Sequence, residues 1–90
     1  MKLEFTQEAR DDLVRLRRFI AKKNPQAATR YSEQLKQSLK RLKDHPQLGR
    51  ELDESSNARE LVAGDYVARY LAKKDRVIII KIRHSKEDAQ

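Results

Sequence analysis

Apolar residues in the first half of the chain recur at helical spacing. Ala9, Leu13, Leu16 and Ile20 are separated by four, three and four positions, which predicts one stripe on an amphipathic helix. Thr6 stands before that stripe as an N-cap, and Glu8 places an acid in the first turn. A second stripe, Ala28, Tyr31, Leu35, Leu39 and Leu42, follows at spacings of three, four, four and three. It is introduced by Asn24 and Pro25, a capping residue and a proline suited to the first helical position. Two helices joined so closely pack as an antiparallel hairpin. The second should stop near Asp44, because His45 precedes Pro46 and Gly49 comes soon after, and Pro46 to Asn57 reads as a polar connection.

Downstream the period changes to strict alternation, with Arg59 to Ala63, Tyr66 to Ala72 and Arg76 to Arg83 as three strands. Gly64-Asp65 fits a two-residue hairpin turn, and Lys74-Asp75 marks a second one. Lys2 to Phe5 can add an edge strand. The expected fold class is therefore α+β: an N-terminal helical hairpin packed on a small antiparallel sheet, in the order β-α-α-β-β-β. Alternation predicts Ile78, Ile80 and Ile82 beneath the helices, with Tyr66, Ala68, Tyr70 and Ala72 beside them. Val67, Arg69, Leu71, Val77, Ile79, Lys81 and Arg83 would then share the opposite, uncovered face.

Composition narrows the partners. In 90 residues, 21 Lys and Arg outnumber 14 Asp and Glu, leaving a charge of +7 that favours an acidic partner. The length suits one domain, taken as residues 1–90. With no cysteine, disulfides, thiolate metal sites and a cysteine nucleophile are excluded. The N-terminus lacks an apolar leader and the longest apolar run is Val77 to Ile80, so a cytoplasmic protein without a membrane span is expected.

Neither a Gly-rich phosphate loop nor a carboxylate or histidine cluster with metal spacing is visible, so no cofactor and no metal are expected. His45 reads as structural. His84 lies between Arg83 and Lys86 at the end of the last strand, where a base or acid for metal-free RNA cleavage could stand. Arg59, Arg69 and Arg83 would then hold the scissile phosphate.

In order and in local detail the chain resembles the RelE/ParE superfamily of bacterial type II toxins. The likeness rests on Phe5, Ala9 and Leu13; on Asn24-Pro25-Gln26-Ala27-Ala28; and on Pro46-Gln47-Leu48-Gly49-Arg50. It continues through Arg59-Glu60-Leu61-Val62, Tyr66, Tyr70 and Arg76 to Ile80, and closes with Ile82-Arg83-His84-Ser85-Lys86-Glu87-Asp88. The resemblance implies a small basic toxin neutralised by a cognate acidic antitoxin, in a hetero-oligomer. It also implies one of two targets, mRNA in the ribosomal A site for RelE-like members or DNA gyrase for ParE-like ones. RelE-like members typically carry an arginine just after the tyrosine of the middle strand and an aromatic or basic catalytic group near the C-terminus. Here Val67 follows Tyr66, and nothing aromatic follows Tyr70. The ending is similar to the His-Gly type of ParE-like proteins, with Ser85 in place of glycine. The reading favoured by these residues is a gyrase poison that is not an enzyme, with Arg59, Arg69, Arg83, His84 and Lys86 contacting the target. Leu13, Leu16, Tyr31, Leu71 and Ile79 are expected at the antitoxin.

Overall fold

The computed structural model describes residues 1–87, so Asp88, the last residue of the ending quoted above, lies outside the described residues. Strand β1 (Lys2–Phe5) leads into helices α1 (Gln7–Lys23) and α2 (Pro25–Lys40). A 3₁₀ turn over Arg41–Lys43 prolongs α2. Then come β2 (Arg50–Glu51), β3 (Ala58–Ala63), β4 (Tyr66–Ala72) and β5 (Arg76–His84). Both predicted caps form. The Thr6 hydroxyl accepts from the Ala9 amide at 3.1 Å, and the Asn24 side chain accepts from the Ala27 amide at 3.1 Å. Gly64 turns β3 into β4 with φ of +62°, a conformation that costs glycine little.

The sheet order is β1-β5-β4-β3-β2. The helical hairpin on a sheet is as expected, but the sheet is mixed and five-stranded. β1 lies parallel to β5, with Leu3 beside Val77 and Phe5 beside Ile79. The second difference is β2, inside the stretch read as a polar connection, which pairs Arg50 with Glu60 and Glu51 with Arg59. Two residues carry too short a pattern to register as alternation.

One side of the sheet meets the helices in a core built on Ala9, Leu16, Leu35, Leu39, Leu42, Leu61, Tyr66, Ala68, Tyr70, Val77, Ile79 and Ile82. The middle strand presents Tyr66, Ala68, Tyr70 and Ala72 to it, as alternation predicts. The last strand differs. Tyr70 opposes Ile79 while Arg69 opposes Lys81, so Ile80 is an extra residue, a β-bulge. Before it Val77 and Ile79 face inward; after it Ile82 and His84 do. Ile78 and Ile80 therefore lie on the uncovered face, the reverse of the alternation read from the chain. The cause is β1. Its polar Lys2 and Glu4 alternate with apolar Leu3 and Phe5, and the parallel register forces Val77 and Ile79 to the side of Leu3 and Phe5. Without the bulge, Lys81 and Arg83 would then have to enter the core.

Candidate functional site

The uncovered face is built from cross-strand pairs. Val67 stands opposite Arg83, Arg69 opposite Lys81, and Leu71 opposite Ile78. Val62, two-thirds exposed, stands opposite Val67. Cations and aliphatic side chains are thus interleaved on three neighbouring strands. Glu60 receives Arg50 at 3.2 Å and Arg69 at 3.6 Å, and Glu4 receives Arg76 at 3.5 Å. Arg50 and Arg69 are more than half exposed, so these pairs bind weakly and leave the guanidinium groups available to a partner.

The five residues expected at a target do not share one surface. Arg69 and Arg83 lie on the uncovered face. Arg59 lies on the helix side beside Tyr70, where it donates to the Gly49 carbonyl at 2.8 Å. In the same cluster the Tyr70 hydroxyl accepts from the Gly49 amide and donates to the Pro46 carbonyl, each at 2.8 Å. Arg59 therefore braces the Pro46–Gly49 bend. Burial pushes the Tyr70 phenol above its ordinary value.

His84 is also inward and only 5 % exposed, with its ring 5.3 Å from Phe19 and edge-on to Tyr66 at 5.2 Å. Its Nδ1 accepts from the Lys86 amide at 3.1 Å, and its Nε2 is 3.9 Å from the Asp65 carboxylate. Lys86 is exposed near it. These rings border a cleft of about 440 Å³ between the helical hairpin and the β3–β4 turn.

Of the residues expected at an antitoxin, Leu16 and Ile79 are in the core and closed to any partner. Leu13 is half-buried against that core, Leu71 is half-buried on the uncovered face, and Tyr31 is exposed at the cleft. Leu16 belongs to the α1 stripe that seats the helix. Ile79 is turned inward by the β1 register.

Sequence reasoning missed a clasp at the free end of β5. Beyond Ile79, where β1 stops, side chains satisfy the strand edge. The Thr6 hydroxyl donates to the Ile80 carbonyl at 2.8 Å, and buried Asp12 accepts from the Ile82 amide at 2.8 Å. Arg15 pairs with Asp12 and donates to the Ile82 carbonyl at 3.1 Å. Glu87 accepts from the His84 amide at 2.9 Å and from Arg15 at 2.9 Å. The available signal was Asp12 itself, a carboxylate inside the Ala9–Leu16 stripe.

Arg15, the nearer cation, holds the Glu87 carboxyl below its ordinary value of 4.5, with the His84 amide adding to the effect. A depressed folded-state pKa means that this stabilisation is complete above the unfolded value and is lost as pH falls through the folded one. Glu87→Gln should therefore be less stable than the parent at neutral pH, and the gap should shrink as pH falls below the unfolded value and close once it has passed the depressed folded one. Urea midpoints at stepped pH measure it. A gap that is constant down to about pH 2 would assign the loss to shape rather than charge.

Residues 3–89 match the family model described as ParE toxin of type II toxin-antitoxin system, parDE. The chain belongs to the ParE toxin family. It is similar to Toxin RelE3 of Caulobacter vibrioides, at 38 % identity over 89 residues that cover 94 % of this chain and 95 % of that one. It is also similar to a solved structure titled chromosomal ParDE TA system from P. aeruginosa, with TM-score 0.79 at 21 % identity. That match covers 93 % of this chain and 95 % of the other. This ParE-family chain is therefore a toxin of type II toxin–antitoxin systems, on a fold that the solved structure shares. Among the described residues no helix is long and apolar enough to cross a membrane.

Proposed function

We propose that the protein poisons DNA gyrase in the cytoplasm, trapping the enzyme on cleaved DNA, and that a cognate acidic antitoxin neutralises it. The observation that carries this reading is the sidedness of the sheet. Arg69, Lys81 and Arg83 stand together among Val62, Val67, Leu71, Ile78 and Ile80, a surface suited to gripping a macromolecule. His84, the histidine a metal-free nuclease would need, faces the other way with Arg59. The target contact therefore centres on Arg69 and Arg83, while Arg59 braces the Pro46–Gly49 bend and His84 and Lys86 lie at the cleft on the helix side. An acidic, partly apolar antitoxin segment crossing Leu71 would cover the same cations.

In a supercoiling assay, purified toxin should inhibit gyrase and accumulate cleaved DNA. The double substitution Arg69→Glu with Lys81→Glu should raise the half-inhibitory concentration by about tenfold or more. Supercoiling that continues at large molar excess of the parent toxin would sink the proposal. The relative named Toxin RelE3 motivates one second reading, cleavage of translated mRNA. That reading predicts A-site cuts in a translation mixture, lost in His84→Ala; intact message removes it.

A further inference from the structure

The cleft between the helical hairpin and the β3–β4 turn has the chemistry of a nucleotide site, and we infer that it binds one nucleotide, base inward and phosphate at the rim. This goes beyond the gyrase reading and does not depend on it.

Two of its walls are rings that are more than nine-tenths buried, His84 at 5 % exposure and Tyr66 at 8 %. Each carries a polar atom with no hydrogen-bond partner among the described residues. Because His84 Nδ1 already accepts from the Lys86 amide, a neutral ring carries its proton on Nε2. That N–H points toward Asp65, whose carboxylate at 3.9 Å is beyond hydrogen-bond reach. The Tyr66 hydroxyl makes no hydrogen bond either, and burial, together with the charge of Asp65, keeps its phenol protonated well past neutral pH. Both atoms stay open to solvent at the cleft, where the polar atoms of a ligand can meet them. An aliphatic side chain seated in the cleft would leave both without a partner. A heteroaromatic ring with acceptor atoms would satisfy both.

The remaining lining fits the same ligand. Phe19, Tyr31, Tyr66 and His84 offer ring faces and edges, and a base stacks on such surfaces whatever its identity. The ammonium of Lys23 sits 5.0 Å over the Phe19 ring, and Lys86 is the second cation at the cleft. Two ammonium groups against one carboxylate favour an anion at the mouth. Asp65 can accept an N–H from the base, which every nucleobase has on its pairing edge. The volume, about 440 Å³, lies within the range of small-molecule sites.

The test is an NMR titration of the full chain with AMP, CMP and UMP, and separately with inorganic phosphate and a Phe-Glu dipeptide. The nucleotides should shift the His84 and Tyr66 ring resonances, saturating below about 5 mM. His84→Gln should weaken that binding by about tenfold, and Tyr66→Phe should weaken it as well, while Arg69→Gln on the opposite face leaves it unchanged. If a variant fails to fold, the ring shifts of the parent chain still decide. Equal shifts from phosphate alone, shifts from the dipeptide with none from nucleotides, or nucleotide shifts confined to the uncovered sheet face would each overturn the inference. Since supercoiling is not read in this experiment, its failure leaves the gyrase proposal standing, and the converse also holds.

Discussion

Replacing Asp12 with alanine should lower the free energy of unfolding by about 2 to 3 kcal/mol, the cost of leaving the buried Ile82 amide without its charged acceptor. One Asp12 oxygen accepts from the Ile82 amide at 2.8 Å and the other pairs with Arg15. Alanine leaves that amide without an acceptor at the stretch of β5 that β1 does not reach. It also loosens Arg15, which ties the Ile82 carbonyl and Glu87 to α1. Small domains have only about 5 to 15 kcal/mol in total, so the variant gives up a large share of its stability. Asp12→Asn keeps an acceptor for the amide and should cost about 1 to 2 kcal/mol. Urea unfolding followed by circular dichroism compares the three chains. Equal midpoints would mean that the sheet alone holds this edge.

Gly49→Ala should cost about 3 kcal/mol through overpacking. A methyl group there would lie 2.6 Å from the Tyr70 hydroxyl oxygen, 2.7 Å from Cε1 of that ring and 2.9 Å from the Glu60 carbonyl. The ring is fully buried and the carbonyl belongs to β3, so neither can retreat cheaply. Relief of the clash would break the Gly49–Tyr70 hydrogen bond and the Arg59 contact with the Gly49 carbonyl. Tyr70→Phe removes one of the clashing atoms. The alanine should therefore cost less in that background than in the parent, by about 1 kcal/mol or more. Strict additivity in the cycle would show that the bend moves as a whole.

These two sites differ in how far the chain announced them. Gly49 stands in the Pro46–Arg50 segment on which the family resemblance partly rests, so its importance was visible while its partner was not. Tyr70 is 21 positions away and reaches it only across the sheet. Asp12 stands at helical spacing from Ala9 and Leu16, a carboxylate on an apolar face. Its partner at Ile82 is 70 residues away, and no periodicity carries that information. The candidate target residues divide in the same way. Arg69, Lys81 and Arg83 were legible as a group because alternation placed them together. Arg59 and His84 were grouped with them by chemistry alone, and the backbone sends both to the helix side.

Local rules written along the chain were enough for the two helices, their caps at Thr6 and Asn24, the tight turn at Gly64 and the three long strands. Each depends on residues within a few positions of one another. Which side of the last strand enters the core depended on assembly. The parallel register with β1 turns Val77 and Ile79 inward, and the extra residue Ile80 then restores Lys81 and Arg83 to the surface. Side chains in a strand alternate with a period of two, so a slip of one residue exchanges interior for exterior. Only the pairing of distant strands can set that slip.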